Sequence, residues 1–182
     1  MKYFVNFFCK RNMLVLLVIF FCAGFSTYLY FDWTKSPVKR ALEVPFLDLN
    51  GKVVEIGDWP ADILVLNFWA TWCPPCLNEI PLLVEFQKEH PPKNLQVLGI
   101  GIDSDLKLRE FTDQNVVNYP VLIGKSAGID MAYDLGNVSG GLPFTVVIKN
   151  NEQIVKQIVG ELSESNLREI EKIVINQEKT LN

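Results

Sequence analysis

Two cysteines three positions apart, Cys73 and Cys76, directly follow an apolar run at residues 63–69. A continuous run of this length is typical of a buried β-strand, so Cys73 should fall on a strand-to-helix turn. Backbone N–H groups and the positive end of the helix dipole favour a thiolate there, and the thiolate is the nucleophilic form. The second cysteine, one turn later, can attack a mixed disulfide. The spacing therefore predicts thiol–disulfide exchange chemistry.

The use of cysteine along the chain argues against a structural or metal-binding pair. Cys9 and Cys22 lie in or beside an N-terminal apolar segment, so Cys73 and Cys76 are the only cysteines in the remainder. A structural disulfide framework needs more cysteines at wider spacings, and a zinc site needs about four ligands. His90 is the only histidine of the sequence. We predict a redox-active disulfide, with no metal and no other cofactor.

Charge is spread unevenly over the 182 residues. Residues 1–31 carry three bases and no acid, and the other fourteen bases and twenty-one acids give residues 32–182 a net charge of −7. An acidic domain binds phosphate backbones poorly, because such contacts need a basic surface. We therefore expect no nucleic-acid partner.

An uncharged stretch of 19 residues, 13–31, predicts a transmembrane signal anchor. At about 1.5 Å per residue it spans roughly 28 Å, which is close to the thickness of a bilayer core. Lys10 and Arg11 precede it, so the positive-inside rule places residues 1–12 in the cytoplasm. The alternative is a signal peptide cleaved near Ser26. Either way we expect an extracytoplasmic domain; with the anchor retained, it faces the periplasmic side of the cytoplasmic membrane as a single-pass protein.

Residues 32–44 contain Pro37 and mixed charge and are predicted to be a linker before a domain at 45–182. Asn-Gly at 50–51 lies between two alternating runs, which predicts a β-hairpin. Further strands are predicted at residues 62–69, 95–102, 120–123, 144–149 and 153–160. Helices are predicted at residues 76–89, 104–115 and 128–135, and a last one begins after a capping Ser163. Strands that alternate with helices and then pair as a hairpin predict an α/β domain with a mixed sheet.

A second motif, Gly141-Leu142-Pro143, stands immediately before the strand predicted at 144–149. Proline is permitted at the start of a strand, and the preceding glycines allow unusual backbone angles. Two isomers of the Leu142–Pro143 bond remain open. A trans bond is the commoner form, whereas a cis bond would expose backbone groups of Leu142 to a substrate.

The segment 68–76 with its cysteine pair, followed about 67 residues later by Leu142-Pro143, resembles the thioredoxin superfamily. Over roughly residues 40–175 it is most similar to membrane-anchored, exported proteins of the TlpA, ResA and CcmG type. Asn67 stands where thioredoxin has a buried aspartate, and Glu79 matches a glutamate that ResA-like proteins hold near the cysteines. The resemblance implies a thioredoxin fold: a mixed central sheet flanked by helices, with an extra N-terminal β-hairpin and an N-terminal transmembrane helix.

The resemblance also implies roles for the two motifs. Cys73 would be the attacking thiol and Cys76 the resolving thiol. Pro143 would be a cis proline that blocks metal binding. Together with Leu142, it would present a strand edge to which a partner docks through main-chain hydrogen bonds.

Four more residues would shape the site. Pro74 and Pro75 occupy the interior of the cysteine motif, which helps to set the redox poise. Trp72 would shield the disulfide; the alternative is a plain surface aromatic. Glu79 would tune the protonation of the cysteines, and the alternative is an ordinary exposed acid stabilised by the helix dipole.

The expected activity is that of a thiol:disulfide oxidoreductase working as a reductase, because no histidine stands between Cys73 and Cys76 as it does in strongly oxidising DsbA-like proteins. The family implies partners that are exported proteins with disulfides, among them the Cys-x-x-Cys-His haem sites of apocytochromes c in cytochrome c maturation. It also implies a membrane thiol shuttle of the DsbD or CcdA type as electron donor. We expect a monomer held at the membrane by its N-terminal helix.

Three alternatives remain for the activity. The first is a general disulfide oxidase or isomerase. The second is a copper or assembly chaperone in which Cys73 and Cys76 bind Cu(I), a soft ion that thiolates hold well. The third is a peroxiredoxin-like peroxidase, which needs a lone peroxidatic cysteine where this chain has a vicinal pair.

Overall fold

The computed structural model describes residues 19–27 and 36–181 of the chain. It divides into two units, Met1–Ser36 and Pro37–Asn182. In the first unit the described residues, 19–27, are helical (α1). The predicted cytoplasmic segment 1–12 and most of the predicted anchor 13–31 lie outside the described residues. Within the part of the chain that is described, no helix has the length and apolar character needed to cross a membrane.

The second unit contains one sheet and the helices that cover it. The strands are β1 (Pro45–Asp48), β2 (Val53–Glu55), β3 (Ile63–Trp69), β4 (Leu95–Gly101), β5 (Val121–Ile123), β6 (Phe144–Lys149) and β7 (Gln153–Val159). The helices are α2 (Pro37–Leu42), α3 (Pro74–Glu89), α4 (Asp105–Gln114), α5 (Lys125–Asp134) and α6 (Glu164–Leu181), with a short 3₁₀ helix at Ile56–Asp58.

The strands form a seven-stranded sheet in the order β2-β1-β5-β4-β3-β6-β7. At its centre β3 runs parallel to β4 and antiparallel to β6. The pairs β1–β2, β1–β5 and β6–β7 are antiparallel, whereas β4–β5 is parallel. The predicted α/β class with a mixed sheet is confirmed. The hairpin β1–β2 forms one edge of the sheet.

Both faces of the central strands are covered, which explains why β3 and β4 are apolar along their whole length. Every residue of these two strands is buried. One face packs against α3, α4 and α6, and the other against α2 and α5. A parallel pair buried on both sides has no solvent-facing positions, so its sequence does not alternate.

Both predicted hairpin turns are present. Gly51 adopts a φ of 81°, and the Asp48 carboxylate accepts hydrogen bonds from the N–H groups of Asn50 and Lys52, each at 2.8 Å. In the second turn Asn150 and Asn151 have φ values of 52° and 55°. Asparagine and glycine tolerate this left-handed region better than other residues, so these turn residues fix the strand pairings on both sides.

The structure corrects three details of the predicted elements. Residues 37–42, placed in the linker because of Pro37 and the mixed charge of residues 32–44, form α2, because Val38, Ala41 and Leu42 are buried against the sheet. Helix α5 begins at Lys125, before Gly128, whose lack of a Cβ allows close contact with Ile102; a Cβ there would lie 2.7 Å from Ile102 Cδ1.

The third correction concerns helix caps. Ser104 is the N-cap residue of α4, but its side chain makes no capping hydrogen bond. Ser163 caps α6 as predicted: its Oγ accepts the Asn166 N–H at 3.3 Å, and Asn166 Oδ1 accepts the Ser163 N–H at 3.0 Å. This reciprocal pair satisfies two backbone donors at the helix start.

Candidate active site

The cysteine pair lies at the connection between the central strand β3 and helix α3. Strand β3 ends at Trp69 and α3 begins at Pro74, so Cys73 is the N-cap residue of α3. Cys73 and Cys76 form a disulfide, with their Cα atoms 5.3 Å apart. Cys73 is 4% exposed and Cys76 is fully buried. An incoming sulfur therefore reaches Cys73 first, which agrees with its predicted role as the attacking residue.

Two prolines alter the start of α3. Pro74 and Pro75 occupy its first two positions, where other residues would carry unpaired backbone N–H groups. The first hydrogen bond of the helix runs from the Leu77 N–H to the Cys73 carbonyl at 3.2 Å. Proline has no N–H, so fewer donors are available to stabilise a Cys73 thiolate than at an ordinary helix N-terminus.

The pairing of β6 with β3 places the second motif, Gly141-Leu142-Pro143, near the disulfide. Phe144 on β6 pairs with Phe68 on β3, so Pro143, one residue earlier, lies beside the carboxyl end of β3. This is the end from which the cysteine loop leaves. The Leu142–Pro143 peptide bond is cis. The Pro143 carbonyl accepts the Gly160 N–H at 2.9 Å, which ties the loop to the end of β7.

Glu79 is a buried acid on α3, one turn after Cys76. It is fully buried, which rules out the alternative of an exposed surface carboxylate. Its Oε1 accepts a hydrogen bond from Asn67 Nδ2 at 2.6 Å, and its Oε2 accepts one from the Leu162 N–H at 2.6 Å. Burial, with a smaller contribution from the nearby charge of Glu161, raises the pKa of Glu79 to about 7 against the lowering effect of these two bonds.

We call Asn67, Glu79 and Thr145 the carboxyl cluster. Asn67 Nδ2 also donates to Thr145 Oγ1 at 3.0 Å, and all three side chains are buried. Asn67 shares its face of β3 with Trp69, which packs in the same core layer as both cysteines. The cluster therefore lies on the same side of the sheet as the disulfide. Sequence reasoning noticed Asn67 only as a departure from thioredoxin and missed Thr145, since only the strand register brings 67 and 145 together.

Tyr119 lies close enough to the carboxyl cluster to feel its charge. It is almost completely buried, and burial raises the pKa of its phenol, with the negative charge of Glu79 adding to the shift. A tyrosine with a raised pKa stays protonated and neutral, so it adds no second negative charge beside the carboxyl group. Sequence reasoning did not single it out.

Trp72 stands at the mouth of the site. It is 61% exposed and lines a cavity of about 510 Å³ together with apolar residues of α5 and of the loop before the cis proline, Ile129, Tyr133, Val138 and Leu142. The cavity leaves an apolar surface next to Cys73.

No group of three or more histidine, cysteine, aspartate or glutamate side chains within residues 19–27 and 36–181 is arranged to hold a metal ion. Cys73 and Cys76, the copper ligands of the alternative function, are joined to each other here.

Comparison with known proteins agrees with the site. The sequence matches the Redoxin family over residues 35–174. It is 30% identical over 160 residues to the thiol-disulfide oxidoreductase ResA of Bacillus thuringiensis (strain Al Hakam), covering 86% of this chain and 90% of the relative.

Two solved structures are similar as well. A thioredoxin-related protein from Neisseria meningitidis serogroup B has a TM-score of 0.62 and 27% identity, covering 70% of this chain and 95% of that one. A thiol:disulfide interchange protein of the thioredoxin family from Chlorobium tepidum TLS has a TM-score of 0.60 and 26% identity, covering 72% and 94%. These likenesses confirm the thioredoxin-like fold. The chain belongs to the Redoxin family, and it is a thioredoxin-like thiol:disulfide oxidoreductase.

Proposed function

We propose that this oxidoreductase works as a reductase of protein disulfides outside the cytoplasm, tethered to the membrane by its N-terminal segment. The observation that carries the direction of electron flow is the buried carboxyl group of Glu79, one turn after Cys76 on α3. The general oxidase or isomerase is the competing function.

A carboxyl group in this position disfavours the reduced thiolate. Glu79 follows Cys76 by three positions on the same buried face of α3, and side chains at this spacing are neighbours. A neighbouring negative charge raises the pKa of a thiol. Strong oxidants of the DsbA type depend on a stabilised reduced form, so a destabilised thiolate shifts the potential towards reduction.

The prolines at the start of α3 act in the same direction. Pro74 and Pro75 remove two of the backbone donors that would otherwise stabilise a Cys73 thiolate. The motif also has no histidine between the cysteines. Both features leave the dithiol a better electron donor than a motif rich in N–H groups and positive charge.

The order of steps follows from the difference in exposure between Cys73, which is 4% exposed, and Cys76, which is fully buried. The Cys73 thiolate attacks a disulfide of the partner, forms a mixed disulfide and releases one partner thiolate, which takes a proton from water. The Cys76 thiol gives its proton to the Glu79 carboxylate and attacks the Cys73 sulfur. The second partner thiolate leaves, two electrons have passed to the partner, and the Cys73–Cys76 disulfide has formed.

The cavity beside Trp72 supports docking of an extended partner segment next to the disulfide. We propose exported proteins with disulfides as substrates, including the Cys-x-x-Cys-His sites of apocytochromes c. A membrane thiol shuttle of the DsbD or CcdA type would return the electrons. This choice of partners rests on the resemblance to ResA-like proteins, and the enzyme would act as a monomer without any cofactor other than its disulfide.

Trapping of partners tests the function and its direction together. Cys76→Ser should accumulate mixed disulfides through Cys73, because the resolving attack is lost, and the trapped proteins identify the substrates. Cys73→Ser is the matched control and should trap none. Equal trapping by both variants would contradict the assignment of the two thiols.

The reduction potential tests the direction alone. We expect a value nearer to that of thioredoxin, about −270 mV, than to that of DsbA, about −120 mV. Equilibration with glutathione measures it. A potential near the DsbA value would make this enzyme an oxidase.

A further inference from the structure

The two hydrogen bonds of Glu79 suit only one of its protonation states. Oε1 accepts from Asn67 Nδ2 and Oε2 accepts from the Leu162 N–H. An ionised carboxylate only accepts, so both partners are correct for it. A protonated carboxyl group has to donate one hydrogen bond, and neither partner accepts in the present arrangement. The Leu162 N–H belongs to the backbone and cannot be exchanged for an acceptor, whereas the Asn67 side chain can turn.

The other end of the Asn67 amide has no partner that holds it in place. Asn67 Oδ1 is fully buried and accepts no hydrogen bond from the described residues. Rotation of the amide by half a turn exchanges Oδ1 and Nδ2 at almost unchanged shape. Oδ1 would then face Glu79 Oε1 and Thr145 Oγ1. A hydroxyl group both donates and accepts, so Thr145 serves either orientation.

We propose that Asn67 is a positioning residue for proton transfer from the cysteine pair: its side-chain amide turns by half a turn when Glu79 gains a proton, and turns back when Glu79 loses it. In the reaction the Cys76 S–H bond breaks and a Glu79 O–H bond forms, and that O–H donates to Asn67 Oδ1. Asn67 itself carries no proton. The kinetic part of this inference rests on the proposed role of Glu79 as the proton acceptor.

The groups around Glu79 allow its carboxyl group to change between a neutral, protonated form and a singly charged, ionised form. Of the titratable groups in the described part of the chain, Glu161 faces it from the loop before α6, Tyr119 from the segment before β5, and Cys76 from its own helix. Asn67 donates to it from β3, and Thr145 on β6 contacts Asn67; both side chains are uncharged. No basic group among the described residues lowers the pKa of Glu79, so the Asn67 amide is, after the Leu162 N–H, the group that favours the carboxylate against burial.

The orientation of the amide can be followed directly by NMR on the full-length oxidised protein, labelled with ¹⁵N-asparagine and titrated from pH 5 to pH 9. The Asn67 side-chain N–H resonances are assigned by their absence from the Asn67→Leu spectrum. We expect both to shift with a single midpoint. In Glu79→Gln they should stay at their low-pH positions throughout, because a carboxamide at residue 79 mimics the protonated acid.

A kinetic measurement separates positioning from mere packing. Single-turnover reduction of oxidised glutathione by the reduced protein should rise with pH through the same midpoint. Asn67→Leu, which removes the donor to the carboxylate, should raise that midpoint by about one pH unit or more. Asn67→Asp keeps the shape if the leucine variant does not fold, and two carboxyl groups sharing one proton should also raise it. Thr145→Val, which retains the amide, should leave it nearly unchanged.

Two results would overturn the inference. One is a pair of Asn67 amide resonances that do not change with pH in the wild-type protein. The other is a uniform fall in rate at every pH in Asn67→Leu or Asn67→Asp, with the midpoint unmoved. The NMR experiment contains no partner and does not depend on the direction of electron flow, so it can fail while the reductase activity is intact, and the reverse.

Discussion

Two buried polar clusters lie beneath α3, and they do different work. The carboxyl cluster lies under the N-terminal half of the helix. Near its C-terminal end Gln87 and Gln96 form a second group, which we call the amide cluster. Both are buried and both tie α3 to the sheet, but only the first contains an ionisable group and an unpartnered oxygen atom.

The amide cluster completes a strand edge. Within β4, residues Gly99–Gly101 pair with β5. The earlier part of β4 lacks a neighbouring strand on that side. Gln87 takes its place: its Oε1 accepts the Val97 N–H at 2.7 Å, and its Nε2 donates to the Leu95 carbonyl at 3.3 Å. Gln96 Nε2 adds a bond to Gln87 Oε1 at 3.0 Å. A neutral, fully paired group of this kind stabilises one structure at every pH.

The carboxyl cluster is built with the opposite property. Glu79 is held by two donors in a buried site that raises its pKa to about 7. One amide oxygen, Asn67 Oδ1, has no hydrogen-bond partner among the described residues. The comparison teaches that burial alone does not identify a functional polar group. A functional polar group is indicated instead by a titratable side chain whose hydrogen-bond partners match one of its charge states and can rearrange to match the other.

The largest effect on stability is expected when the amide cluster is broken. Gln87→Leu leaves the Val97 N–H and the Leu95 carbonyl without their partner in the interior, and Gln96 Nε2 keeps only its bond to the Val97 carbonyl. At about 1–3 kcal/mol for each buried unpaired group, we expect a loss of about 3 kcal/mol or more. Urea unfolding of the oxidised protein measures it. The loss should be equal at pH 5 and pH 8, and the exposed neighbour Lys88→Ala should change stability by less than about 0.5 kcal/mol.

Glu79→Gln should give a change of at most similar size, and one that depends on pH. The pKa of Glu79 is raised from about 4.5 in the unfolded chain to about 7 in the fold. Below pH 4.5 both states carry the proton; from there to pH 7 the folded state binds more protons, so wild-type stability falls as pH rises. A shift of this size corresponds to roughly 3 kcal/mol.

The glutamine variant carries no such proton, so its stability should not show this fall between pH 4.5 and pH 8. Unfolding of both proteins at the two pH values measures the difference. An identical pH dependence in wild type and variant would mean that Glu79 does not titrate in this range and would remove the distinction between the clusters.

Thr145→Val should have the smallest effect. It removes one neutral hydrogen bond from Asn67 Nδ2 and keeps the shape of the side chain in β6. We expect a loss of about 1 kcal/mol at every pH, because the bond from Asn67 to Glu79 remains. The same unfolding series measures it. A pH-dependent loss as large as the Glu79 effect would show that Thr145, rather than Asn67, governs the carboxyl group.

The sequence predicted much of the site because its parts are local patterns. The apolar run of β3 and the two thiols three positions apart identify a strand, a turn and a helix start within fourteen residues of chain, 63–76. The hairpin turns followed from Asn-Gly and Asn-Asn. Helix α2 was missed for the opposite reason: six residues are too few to establish a helical pattern by themselves, and the burial of Val38, Ala41 and Leu42 against the sheet stabilises the segment as a helix.

The environment of the cysteines could not be predicted in the same way, because it is made by residues far apart in the chain. Glu79 meets Asn67 across 12 residues of chain and the Leu162 N–H across 83, and Asn67 meets Thr145 across 78. The sequence by itself determined the chemistry, since two thiols at this spacing on a predicted strand-to-helix turn, without further cysteines or histidines nearby, favour disulfide exchange. The tertiary structure decided the proton chemistry around them, because a pKa depends on burial and on hydrogen-bond donors that only the strand register brings together.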